Sequence, residues 1–251
     1  MPKAKRTRKP ATAPAGAARS GRFLADTATA RPLASLVFLS PVLVIYVVGL
    51  IWVRPDLAAT ADVWLREGMK LVGVSGALAP TWLAVLVLLV WHLVRRDPWQ
   101  VSGGLLGLMA AETVFLCIPL FLVMFIFHGV PQGVVHTAPI PWLEVVMTSI
   151  GAGLYEELLF RLLLVGGALF ALSHILKDHS LGAQLAVVLI AAALFAGAHE
   201  TDPQHFSWAR FLFRSAAGIY LGYVFVYRGF GVVTGVHIVF DLVVKVADAI
   251  A

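Results

Sequence analysis

LASLVFLSPVLVIYVVGLIWV, at residues 33–53, runs for 21 positions without a charged side chain. A bilayer hydrocarbon core of about 30 Å is crossed by about 20 helical residues. The run is longer than the apolar region of a signal peptide, which is roughly 7 to 15 residues, and no convincing small-residue cleavage site follows it. This stretch therefore predicts a retained membrane span.

Further apolar runs repeat the pattern along the chain. The run at 142–176 is too long for one straight crossing, and Gly151 and Gly153 predict a break that leaves a short interfacial segment near Trp142. The remaining predicted spans are 71–94, 103–127, 153–174, 181–199, 207–227 and 230–249. We predict an all-α, polytopic transmembrane helical bundle of about seven spans, with six or eight as the alternatives.

Composition agrees with a membrane protein. Apolar residues make up 60% of the chain and charged residues 13%, whereas soluble domains have roughly 45–50% and about 25%. Residues 1–31 carry eight Lys or Arg against Asp26, which is +7, while the other residues carry 11 basic and 13 acidic groups, which is −2. The positive charge belongs to a tail, so no nucleic-acid partner is predicted. Cys117 is the single cysteine, which excludes an intrachain disulfide.

The charge pattern also predicts organisation and orientation. Residues 1–31 are expected to form a disordered basic arm, 32–141 the N-terminal transmembrane helices, and 142–251 a second transmembrane unit. Basic residues mark the cytoplasmic side of membrane proteins. The arm, Arg95, Arg96, Lys177 and Arg228 would share that side, opposite the loops 128–141 and 200–206, which lack Lys and Arg. We expect an integral protein of a bacterial inner membrane with a cytoplasmic N-terminus.

Ionisable groups inside spans are costly and by default indicate function. In YEELLFR, Glu157 and Arg161 are four residues apart and can pair on one helix face, while Glu156 is rotated by roughly 100° from Glu157. Glu156 is thus free to face another direction. The structural alternative is a buried ion pair that locks two helices. Glu112, inside the third predicted span, is expected to pair with a group in a polar cavity or to line its entrance.

Two later spans carry histidines. Phe195 and His199 lie one turn apart in FAGAH, and His237 and Asp241 are four apart in HIVFD. Taken alone, His199 is typical of an interfacial histidine. His237 and Asp241 fit a metal half-site, a hydrogen-bonded dyad or a structural lock equally well.

Three polar clusters in an otherwise apolar chain lose the least free energy when they are buried together and supply one another's hydrogen-bond and ionic partners. One shared cavity is therefore predicted. A carboxylate and two imidazoles in such a cavity are suited to activating water, with Glu156 as the base and the histidines orienting water and stabilising developing charge.

The ordered motifs E-E-x-x-x-R at 156–161, F-x-x-x-H at 195–199 and H-x-x-x-D at 237–241 resemble those of the CPBP family. That family includes the CAAX prenyl endopeptidases, the bacterial Abi-type and bacteriocin-protection proteins, and the sorting-type members called myxosortases. The resemblance covers roughly residues 142–249 and implies that 142–251 is the catalytic core of an intramembrane endopeptidase. It implies that Glu156 and His199 activate water and that His237 and Asp241 hold the oxyanion. Glu157, Arg161 and Phe195 would be supporting residues.

Asp241 departs from the prenyl-protease branch, which has asparagine at this position. An ionised aspartate accepts hydrogen bonds but cannot donate one to an oxyanion. Either Asp241 is protonated, or it orients His237, or the site uses a divalent metal such as zinc. In the last case the ligands would be Glu156, His199, His237 and Asp241. The metal-free interpretation, with no cofactor, is the one we favour.

The expected partners are the lipid bilayer and a membrane-associated, lipid-modified or exported protein, or a C-terminal sorting-signal peptide, as the substrate. The alternative function is that of a non-catalytic membrane scaffold or transporter subunit whose intramembrane charges form a structural ion-pair cluster.

Overall fold

The computed structural model describes residues 27–51, 60–127, 142–200 and 206–250. The helices are α1 (Pro32–Gly49), α2 (Thr60–Leu71), α3 (Ala79–Arg95), α4 (Gly103–Ile126), α5 (Trp142–Glu156), a π-helical segment (Glu157–Gly166), α6 (Gly167–His174), α7 (Leu181–Ala198), α8 (Trp208–Arg228) and α9 (Phe230–Ile250). Most of the predicted basic arm, the whole loop 128–141 and most of the loop 200–206 lie outside the described residues. The division of the chain between residues 141 and 142 stays a prediction.

The predicted all-α polytopic bundle is confirmed. Within the described ranges, five helical segments are long and apolar enough to cross a membrane: Pro32–Gly49, Gly103–Ile126, Trp142–His174, Leu181–Ala198 and Phe230–Ala247. The other two predicted spans are helical as well. Of these, α3 is a shorter apolar helix, while α8 carries Arg210, Arg214 and Arg228 and does not meet the same test of length and composition.

The predicted break at Gly151 and Gly153 is wrong. Helix α5 runs through both glycines and continues without interruption into the π-helical segment and α6, so that Trp142–His174 is one continuous helical segment. The glycines serve packing instead. A Cβ at Gly153 would lie 2.9 Å from the backbone nitrogen of Ile238 in α9, and one at Gly151 would lie 3.3 Å from the ring of Tyr46 in α1.

Serine caps and the position of proline explain where several helices begin. Ser102, Ser180 and Ser207 precede α4, α7 and α8, and each side-chain oxygen accepts a hydrogen bond from a backbone N–H in the first turn. These bonds satisfy donors that a helix leaves unpaired at its N-terminus. Pro32 stands at the start of α1, where the missing N–H costs nothing.

Helix α9 is the central element of the bundle and packs against α1, α4, α5 and α8. Its first half is fully enclosed, with Val232, Val233 and Val236 all at 0% exposure. Peripheral helices direct large apolar side chains outward, among them Phe115, Leu122 and Phe125 of α4. Apolar side chains on the outer faces and polar residues on the central helix suit a protein whose solvent is lipid.

Helix α2 accounts for charges in the connection between α1 and α3. It is amphipathic, and buried Asp62 pairs with Arg66 one turn later at 2.6 Å. Lys70 pairs with Glu67 on the exposed face, also at 2.6 Å. Two basic residues of this connection are therefore neutralised locally.

Candidate active site

Glu156 lies between the two motif histidines. Its Oε1 is 3.5 Å from Nε2 of His199, which follows α7, and its Oε2 is 3.7 Å from Nε2 of His237 in α9. Glu156 and His237 are each only 6% exposed. The structure thus brings together one residue from each of the three motifs.

His199 is oriented by its own helix. Its Nδ1 lies 2.8 Å from the backbone carbonyl oxygen of Phe195, to which a protonated Nδ1 donates. The ring of Phe195 lies 4.8 Å from the imidazole centroid and 4.4 Å from the guanidinium carbon of Arg161. Because Nδ1 is engaged by the helix, Nε2 is the nitrogen that faces Glu156.

Glu157 lies behind the site and is fully buried. Its Oε2 is 3.2 Å from Nε of Arg161, the contact that the i, i+4 spacing predicts. Its Oε1 is 2.7 Å from Nδ1 of His237, a contact that sequence analysis missed because it joins α9 to a residue 80 positions earlier. A carboxylate on Nδ1 sets the ring orientation and leaves Nε2 facing the site.

Asp241 lies one turn beyond His237. Its Oδ1 is 3.7 Å from Nε2 of His237, and its Oδ2 is 3.2 Å from Nζ of Lys245, another turn along α9. Lys245 was not predicted as a site residue, although a lysine four residues after an aspartate has the spacing of a helical ion pair. Nζ also lies 3.5 Å from Oγ1 of Thr148 in α5.

A cavity of about 200 Å³ borders these groups. It lies at the end of the bundle where α4, α7 and α9 finish and where α5 and α8 begin. Helices α4, α8 and α9 supply apolar walls that include Leu120, Phe213 and Phe240. Its polar lining consists of Glu156, His199, Arg214, His237, Asp241 and Lys245.

Glu200 joins the end of α7 to the start of α8 beside this cavity. Its carboxylate accepts hydrogen bonds from Arg210 at 2.9 and 3.0 Å, from Arg214 at 2.6 Å and from the backbone N–H of Ser207 at 3.1 Å. The hydrogen bonds from Arg210 lower the pKa of Glu200 below its usual value. The two arginines near the start of α8 therefore share one carboxylate, which joins them to the residue that follows His199.

The expectation for Glu112 is wrong. Its Oε1 pairs with Nη2 of Arg228 at 2.7 Å, and Glu112 is not among the residues that line the cavity. Arg228 ends α8 at the opposite end of the bundle from the cavity. The pair therefore links α4 to α8, away from the three motifs.

The metal-dependent alternative names Glu156, His199, His237 and Asp241 as its ligands. Within the described ranges, no three His, Cys, Asp or Glu side chains form a group that could hold a metal ion. Glu156, His199, His237 and Asp241 approach one another in pairs at 3.5–3.7 Å. These side chains thus meet as carboxylate–imidazole pairs.

A helical bundle with a buried carboxylate and two histidines on separate helices defines an integral membrane protein with an intramembrane polar site. Residues 138–243 match the family model described as type II CAAX prenyl endopeptidase Rce1-like. The resemblance to the CAAX protease family is thereby confirmed over the segment that holds all three motifs, and CAAX-type endopeptidase is the class of activity that this family supports. No curated protein and no solved structure is detectably similar to the chain.

Proposed function

We propose that this protein is an intramembrane endopeptidase in which Glu156 activates a water molecule to hydrolyse a peptide bond of a membrane-associated substrate. The observation that carries the proposal is the buried Glu156 carboxylate, with a histidine Nε2 at 3.5 Å on one oxygen and at 3.7 Å on the other. General-base catalysis needs a carboxylate such as Glu156, and oxyanion stabilisation needs hydrogen-bond donors such as the imidazoles, in a cavity that excludes most of the water. The family relationship supports the same class of reaction.

In this mechanism Glu156 and His199 hold the attacking water. Because Nδ1–H of His199 donates to the carbonyl of Phe195, Nε2 of the neutral ring is an acceptor. A water that donates one proton to this Nε2 and the other to Oε1 of Glu156 keeps a lone pair for attack. The water oxygen bonds to the substrate carbonyl carbon, one water proton passes to Glu156, and the carbonyl electron pair moves onto its oxygen.

His237 stabilises the resulting oxyanion. Nδ1–H of His237 donates a hydrogen bond to Oε1 of Glu157 at 2.7 Å, and a protonated Nε2 donates into the site. The intermediate collapses when the C–N bond breaks, and the proton held by Glu156 passes to the leaving nitrogen. The products are a new C-terminal carboxyl group and a new N-terminal amine, and Glu156 returns to its ionised form.

The substrate that we propose is a membrane-anchored or exported protein, or a C-terminal sorting-signal peptide. With the basic arm on the cytoplasmic side of a bacterial inner membrane, the end of the bundle that holds the cavity faces away from the cytoplasm. Exported chains are accessible from that side. A prenylated protein in the cytosol would approach from the other side.

The proposal is tested by comparing the termini of membrane and secreted proteins in cells that produce wild type, Glu156→Gln or Glu67→Gln. The amide of the Glu156→Gln variant keeps the shape of the side chain but cannot take the proton, so a set of termini should disappear. Glu67 is 61% exposed on α2 and is not among the residues that line the cavity, so its variant should leave every terminus unchanged. His199→Ala should remove the same set, and the termini should persist when metal ions are chelated.

Unchanged termini in cells with Glu156→Gln, at normal protein levels, would overturn the protease proposal. If Glu156→Gln and His199→Ala instead prevent the folded protein from accumulating, the scaffold or transporter interpretation with a structural charge cluster is favoured. Loss of cleavage on chelation, restored by zinc, would overturn the metal-free mechanism alone.

A further inference from the structure

Lys245 is a cationic side chain in the cavity that the mechanism above does not use. It lies two turns beyond His237 on α9 and lines the cavity with Glu156, Asp241 and both histidines. Its Nζ is 3.2 Å from Oδ2 of Asp241 and 3.5 Å from Oγ1 of Thr148. An ammonium group has three N–H donors. Within the described residues these two contacts leave one donor for a group in the cavity.

Asp241 creates an electrostatic problem for the proposed reaction. Its Oδ1 lies 3.7 Å from Nε2 of His237, so an oxyanion held by His237 would form next to an ionised carboxylate. An ionised carboxylate only accepts hydrogen bonds, and two neighbouring negative charges in a partly buried site repel each other strongly. A cation beside Asp241 offsets this repulsion, and Lys245 is in that position.

We propose that Lys245 is a second oxyanion donor, held in place by Asp241 and acting together with His237. This inference rests on the endopeptidase function proposed above. Asp241 accepts a hydrogen bond from Lys245 through Oδ2, while its Oδ1 lies 3.7 Å from Nε2 of His237. When the water oxygen bonds to the substrate carbonyl carbon, the remaining N–H of Lys245 donates to the oxygen that takes the electron pair, and this bond is lost when the C–N bond breaks.

A purely structural ion pair would give a different result on substitution. Lys245 is 33% exposed and Asp241 21% exposed, so water screens part of their attraction and the pair is expected to contribute little to stability. Removing Lys245 should therefore leave the amount of folded protein nearly unchanged. A large loss of cleavage would then report on the reaction itself.

The test uses full-length protein and the termini that depend on Glu156, measured as their initial rate of appearance after induction. Loss of one oxyanion donor slows catalysis by roughly 100-fold or more, and we expect this for Lys245→Met. In the double variant Asp241→Asn/Lys245→Met, the side chain at 241 is a neutral amide that can donate a hydrogen bond to the oxyanion. The rate of this variant should therefore return to within about tenfold of wild type, because the loss of a donor without replacement costs more than that. Lys245→Arg should be nearly as active as wild type, and Lys70→Met, on the exposed face of α2, is the matched control.

Three outcomes would overturn the inference. Wild-type rates for Lys245→Met would show that the lysine does not contribute. If the double variant is as slow as Lys245→Met while both proteins are at normal levels, the slow cleavage by Lys245→Met is not caused by the unpaired Asp241 carboxylate and the lost hydrogen-bond donor. An inactive Lys245→Arg variant at normal levels would show that a cationic donor is not sufficient. If no terminus depends on Glu156, the proposed function itself fails, and that result is obtained before any Lys245 variant is made.

Discussion

Glu156 and Glu157 are adjacent carboxylates in different surroundings. Glu156 faces the cavity and lies between two histidines, while Glu157 is enclosed between Arg161 and His237. A buried carboxylate with a cation on one oxygen and an imidazole on the other is held in a single orientation. The same residue type thus supplies a group for the proposed reaction at one position and a fixed support for His237 at the next.

Removing the Glu157 carboxylate should destabilise the protein strongly. The side chain of Arg161 is 2% exposed, so Glu157→Ala leaves a buried charge without its counterion, which costs about 3–5 kcal/mol. Denaturant unfolding of the purified protein in detergent measures the change. Glu67→Ala is the control, because its exposed pair with Lys70 should contribute about 1 kcal/mol or less. Equal effects of the two substitutions would contradict the assigned role of Glu157.

At the scale of elements, the contact between α5 and α9 sets the distance between Glu156 and His237. Gly153 lies one turn before Glu156, and Ile238 immediately follows His237. The missing side chain at Gly153 lets the two helix backbones approach closely, as small residues do in membrane proteins. The π-helical segment begins at Glu157, so a local change in winding coincides with the site, where such segments are frequent.

Gly153→Ala should therefore disturb both stability and cleavage. The added Cβ would lie 2.9 Å from the backbone nitrogen of Ile238, and forcing α5 away from α9 should cost about 1–3 kcal/mol. We expect a lower unfolding free energy in detergent and slower appearance of the Glu156-dependent termini. Gly107→Ala in α4, with no atom within 4 Å of the added Cβ, is the control. If Gly153→Ala behaves like Gly107→Ala, the close approach is not what positions the site.

Across the whole molecule, two groups of charged residues mark opposite ends of the bundle. At one end the chain preceding α1 lies against the turn between α8 and α9, where a Cβ on Gly229 would be 2.5 Å from Cα of Ala30. Gly229 has φ +84°, a conformation suited to glycine, and Arg228 beside it pairs with Glu112. The cavity and the cluster of Glu200 with Arg210 and Arg214 occupy the other end.

This arrangement makes the proposed orientation testable. Ser75, before α3, and Gln100, after it, are both exposed and lie at opposite ends of that helix. With a cytoplasmic N-terminus, a membrane-impermeant maleimide should label Ser75→Cys in intact spheroplasts and Gln100→Cys only after permeabilisation. Wild type is the control, since Cys117 is 3% exposed. The reverse pattern would place the cavity on the cytoplasmic side and contradict the proposed substrates.

The helical membrane architecture could be predicted from the amino-acid sequence. Within a bilayer every backbone polar group needs a partner inside the protein, and a long uncharged run such as 33–53 meets this need by forming a helix. The pair of Glu157 with Arg161 could also be predicted, since helical periodicity places residues four apart on one face. The fit of Gly153 against Ile238, the bond from Glu157 to His237 and the presence of Lys245 in the cavity depend on tertiary structure. Periodicity defines the faces of a single helix, whereas rotation and approach between helices follow from how their side chains pack.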